Sequence, residues 1–65
     1  MTPDELTNAR EKLGLSQSAL ARDLGISRVT LWRHETGKSD IPVLVSLAVE
    51  ALMNRRIPNP NSAAN

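Results

Sequence analysis

Between Arg22 and Lys38 the chain carries four basic side chains, Arg22, Arg28, Arg33 and Lys38, together with His34, against only Asp23 and Glu35. Trp32, the one aromatic residue of the chain, lies among them. It is either core or contact surface. Few other residues here could do chemistry. His34 has no cysteine, no second histidine and no pair of carboxylates beside it, so it reads as a partly buried structural imidazole rather than a metal ligand or a catalytic base. Ser16, Ser27 and Ser39 have no activating base and read as helix caps and backbone binders rather than nucleophiles. No enzyme and no cofactor is expected, and no metal site.

The elements that position these residues must come from a short chain. Sixty-five residues make one domain, and a chain of this size buries only about 60% of the surface its unfolded form exposes. Disulfides are excluded by the lack of cysteine, and an ordinary zinc cluster by a single histidine. A partner chain or a bound ligand is the expected supplement to a small core. The amino terminus is charged from Asp4 onward and no apolar run exceeds three residues, so neither a signal peptide nor a membrane span is expected and the cytoplasm is the default location. The net charge of +1 excludes nothing; the uneven distribution is the informative feature.

The punctuation of the chain predicts an all-α fold of four helices. Thr2, Pro3 and Glu5 form a capping-box signature, and helix 1 should run to Leu13 and stop at Gly14. Ser16 caps a helix of about two turns that Gly25 ends. Ser27 caps a third helix through Thr36, closed by Gly37, and the three-residue connection Gly25-Ile26-Ser27 forces a tight turn and a steep crossing. After Lys38 to Ile41, Pro42 starts a fourth helix lasting to about Arg55. The domain is expected to be residues 1–56, with 57–65 as a flexible tail.

Helical phase assigns the faces. Leu6, Ala9 and Leu13 form one stripe, with Arg10 in its middle. On helix 3 Leu31 and Glu35 lie on one side, Val29, Arg33 and Thr36 on the other, and Arg28 and Trp32 toward its flank. Leu31 is the core choice, since Ile26 continues its side, and that brings Glu35 inside with Arg10 as its natural partner. The alternative is two solvated side chains. Helix 4 carries a polar strip, Ser46, Glu50 and Asn54, and an apolar arc too wide for one core face. Leu44, Leu47, Ala48 and Ala51 are assigned to the core. Val45, Val49, Leu52 and Met53 are assigned to a dimer interface, the alternative being that helices 1 and 4 cover both sides within one chain.

The stretch from Leu13 to Lys38 resembles the helix-turn-helix of the lambdoid phage repressor and Cro family. The matching residues are Leu13-Gly14-Leu15-Ser16-Gln17, Ala21 at the helix crossing, Gly25 in the turn, Ser27 as cap, Leu31 inside, and Glu35 followed by Gly37-Lys38. The resemblance covers about residues 4–53. It implies that helix 3, about 27–36, enters the major groove of double-stranded DNA, with Arg28, Val29, Trp32 and Arg33 reading bases. Arginine suits guanine, and Val29 suits a thymine methyl. Trp32 is then expected to be largely exposed, packing on the sugar-phosphate backbone or a thymine methyl. Gln17 would bind phosphate together with the free N–H groups of its helix; Lys38 and Ser39 are further phosphate contacts, and Ser27, Thr30 and Arg22 weaker ones. In that family an arginine of helix 1 pairs with the glutamate at the position of Glu35, and the position of His34 is usually apolar.

The resemblance implies a homodimeric, sequence-specific transcriptional repressor acting on a palindromic operator. Small autorepressors of phage or mobile-element operons, including anti-CRISPR-associated repressors, are of this kind. The fifth helix and the effector domain of full repressors have no counterpart here, so no small-molecule effector is expected. The alternative is an antitoxin, binding DNA through the same motif and a toxin through helix 4. RNA binding is disfavoured because an A-form major groove is too narrow for the helix.

Overall fold

A computed structural model describes residues 1–56. The expected tail, 57–65, lies outside the described residues. The order is α1 (Pro3–Leu13), α2 (Gln17–Leu24), α3 (Arg28–Glu35) and α4 (Val43–Arg56), with no strand among the described residues.

Each start is fixed locally. At α1 the Thr2 hydroxyl accepts from the Glu5 N–H at 3.1 Å while the Glu5 carboxylate accepts from the Thr2 N–H at 2.8 Å, a reciprocal capping box. Ser16 and Ser27 cap α2 and α3 by accepting the N–H groups of Ala19 and Thr30. The ends of α1 and α2 share one device. Gly14 and Gly25 take left-handed φ values of 70° and 73°, and the next residue turns back to donate its N–H five residues upstream, Leu15 to Arg10 and Ile26 to Ala21. Leu15 and Ile26 thereby dip against the core. In the α2–α3 connection this single glycine accomplishes the reversal that seats one helix across the other.

The core is built from all four helices: Leu6, Ala9 and Leu13, then Leu20 and Ala21, Leu31, and finally Val45 and Val49. Leu31 is fully buried and Val29 is 52% exposed, which sets the phase of α3 as the periodicity predicts.

Helix α4 reverses the expected assignment. Val45 and Val49 are buried in this chain's own core, and Leu52 and Met53 are packed half-buried against it, so these four do not form a free face for a second subunit. Leu44 is 79% exposed and Leu47 55%; Ala51 is exposed as well, and only Ala48 is partly covered. The cause lies just before the helix. Ile41 packs against the core, and Ile41, Val45, Val49 and Met53 recur every four residues, so the anchored isoleucine turns that stripe toward α1 and α2.

Candidate nucleic-acid interface

The buried side of α3 is made by Leu31 and His34. Arg28, Val29, Trp32 and Arg33 are all exposed, and Trp32 keeps 42% of its surface in solvent. The ring therefore stands at the edge of the outward face, less open than the sequence suggests. Among the described residues the one ion pair is Arg10–Glu35, so the charges of Arg28, Arg33 and Lys38 are not neutralised within that part of the chain.

That ion pair anchors the helix. The Arg10 Nε donates to Glu35 Oε2 at 2.8 Å, with the Glu35 side chain 5% exposed and that of Arg10 18%. A second guanidinium nitrogen, Nη1, donates to the Leu15 carbonyl at 3.0 Å. The other carboxylate oxygen, Oε1, accepts from the Thr7 hydroxyl at 3.2 Å and from the Gln17 Nε2 at 3.3 Å. Glu35 thus ties α1, α2 and α3 together. The sequence reading missed Thr7. Its spacing of three from Arg10, on the same side of α1, was the available signal.

The same contact defines what Gln17 can do. One of its two amide N–H groups is held by Glu35, which fixes the side chain and leaves the second to donate outward. Beside it, the Gln17 and Ser18 N–H groups of the first turn have no intrahelical acceptor, since the Ser16 cap takes Ala19. An anion at this end of α2 would meet both.

Among the remaining predicted phosphate contacts, the hydrogen bonds narrow the choice. The Ser27 hydroxyl accepts from the Thr30 N–H and donates to Thr30 Oγ1 at 2.8 Å, so its proton is committed, while the Thr30 hydroxyl retains one to give. Lys38 and Ser39 fold back over the end of α3, both N–H groups donating to the Arg33 carbonyl at 2.9 and 3.3 Å. Only their side chains are left for an outside partner. The loop also passes His34, which is 6% exposed with its Nδ1 3.4 Å from the Ser39 carbonyl. Arg22 is exposed on α2; nothing in the structure ties it to the others.

Among the described residues no group of three or more His, Asp or Glu side chains is placed to hold a metal, and no helix is long and apolar enough to cross a membrane. What the arrangement offers is a rigid eight-residue helix with two cations, an aliphatic side chain and an indole on its open side, flanked by a helix N-terminus and a lysine.

Comparison with known proteins agrees with this geometry. The model of the helix-turn-helix domain family matches residues 4–55. Over 55 residues the chain is 40% identical to a protein of Pyrococcus abyssi (strain GE5 / Orsay) named "Putative HTH-type transcriptional regulatory protein". That alignment covers 85% of this chain and 17% of the relative, so the chain spans about one sixth of its length. No solved structure matches significantly. Two capped helices joined by the Gly25 turn, with the second presenting its charged side outward, thus come with a match over most of the chain: the protein belongs to the helix-turn-helix domain family.

Proposed function

We propose that the chain is a sequence-specific, DNA-binding transcription regulator that acts without enzymatic chemistry, as a homodimeric repressor on a palindromic operator. The observation that carries this reading is the outward placement of Arg28, Val29, Trp32 and Arg33 on a helix whose other side is locked into the core. An α-helix fits the B-form major groove, where a guanidinium can bond guanine O6 and N7 together and an aliphatic side chain can contact a thymine methyl. Gln17 with the first turn of α2, the Thr30 hydroxyl and the side chains of Lys38, Ser39 and Arg22 would hold phosphates and set the register of α3 in the groove. Ser27 would contribute as the cap that fixes the start of that helix. The name of the Pyrococcus abyssi relative, a regulatory protein of transcription, supports the same reading.

Two copies would place their α3 helices in successive major grooves, about 34 Å apart, and occlude a promoter. The contact between copies is assigned to the exposed side of α4, Val43, Leu44, Leu47 and Ala51. Control of a small phage or mobile-element operon by its own product fits a regulator of this kind.

Selection from a pool of random duplexes, followed by mobility shifts at moderate salt, tests the reading. One enriched sequence with two-fold symmetry is expected. Arg33→Ala should cost about 1–3 kcal/mol and relax the choice at one base pair, whereas Gln17→Ala should weaken all sequences alike. Binding that shows no preference over random DNA would sink it.

A further inference from the structure

Arg28, Val29 and Trp32 enclose an open notch of about 220 Å³ on the outward side of α3. From this notch, and resting on the DNA reading above, we infer that the protein reads the C5-methyl group of a pyrimidine lying beside a guanine. Two of the three lining residues, Val29 and Trp32, bring apolar surface, and both are exposed beside a core already filled by Leu31. Of the residues that line the notch, Arg28 is the polar one. Its guanidinium matches the guanine edge.

In the major groove, the apolar feature a base can offer to such a notch is the C5 substituent of a pyrimidine: methyl in thymine, hydrogen in cytosine. An open notch of this size can take a methyl and the ring edge that bears it. Methylation of cytosine puts the same methyl at the same ring position. The notch therefore accepts thymine and 5-methylcytosine and discriminates against uracil and unmodified cytosine. A DNA-modifying methyltransferase acting on the operator would then alter occupancy without any change in the protein.

The test uses the full chain and the duplex enriched from the random pool, fluorescein-labelled and titrated by anisotropy. In one arm each thymine is replaced singly by deoxyuridine; in the other each cytosine is replaced by 5-methylcytosine. Deoxyuridine at one position per half-site should weaken binding about fourfold, the worth of one buried methyl, or methylation of one cytosine should strengthen it by a similar factor. Trp32→Ala and Val29→Ala, both at exposed positions, should each bring that ratio to about one while the protein keeps its helical circular dichroism. An enriched duplex that is indifferent to every substitution in both arms, or a ratio that survives both variants, overturns the notch while leaving the DNA reading intact. A pool in which no sequence is enriched overturns the DNA reading and this inference with it.

Discussion

At the residue scale, the Glu35 carboxylate joins side chains of three helices. Its carboxylate accepts from Thr7, Arg10 and Gln17 with only 5% of the side chain exposed. Glu35→Ala leaves a guanidinium with its partner gone and a threonine and a glutamine short of an acceptor. Urea denaturation should show a loss toward the lower end of about 3–5 kcal/mol, because Arg10 keeps some contact with water. Replacing the pair together, Arg10→Met with Glu35→Leu, should recover most of that loss, since no uncompensated charge is left, while staying somewhat below the parent because Thr7, Gln17 and the Leu15 carbonyl still lose a partner. The pair is legible in sequence because helical phase alone put Arg10 in an apolar stripe and Glu35 beside Leu31. The glutamine is less so: its position at the start of α2 speaks of phosphate, and only the packing of α2 on α3 reveals that Glu35 holds it. Glu5 supplies a pH dependence. Hydrogen bonds from the Thr2 backbone, and then its side chain, hold the carboxyl below its usual value of about 4.5. Its contribution is full above that usual value and fades as the pH falls through the lowered one. Glu5→Gln keeps an acceptor for the Thr2 N–H and removes the titration, so thermal melts between about pH 6 and about pH 2 should show a shallower acid decline for the variant.

At the scale of elements, α4 separates burial from hydrophobicity. Val49 is fully buried and Leu47, two residues away, is 55% exposed. Val49→Ala should therefore cost about 2 kcal/mol in urea denaturation, the transfer term for the lost methyls plus the cavity. Leu47→Glu should change the stability of the dilute monomer by no more than about 0.5 kcal/mol and, where two copies share this side, abolish their association in sedimentation equilibrium. The opposite ranking is what the expected assignment of the two faces would require. The ends of α1, α2 and α3 were readable because a cap needs only a hydroxyl, a glycine and the right offset. The orientation of α4 was not, because nine of its residues are apolar and no single side stands out.

At the scale of the whole molecule, a domain of 65 residues has a stability of roughly 3–10 kcal/mol at 0.05–0.15 kcal/mol per residue, and an α4 side with Val43 and Leu44 more than two-thirds in solvent is an obvious place to add to it. If two copies share that side, folding is linked to association, and the melting temperature should rise with protein concentration, by several degrees over a hundredfold range. A melting temperature independent of concentration, with a monomer in sedimentation, would instead favour a partner of another kind on α4, such as a toxin. The sequence by itself determined the class of the fold, the four helices with the stops of the first three, the partly buried ion pair and the outward set on α3. Each of these depends on interactions within a few residues or on the phase of one helix with a clear polar side. Tertiary structure alone decided which half of α4 meets the core, how Glu35 gathers donors from two other helices, and that Arg28, Val29 and Trp32 surround a notch. Those outcomes depend on where separate helices come to rest, a matter of packing an anchored Ile41 and a folded-back loop against the rest, which no local pattern encodes.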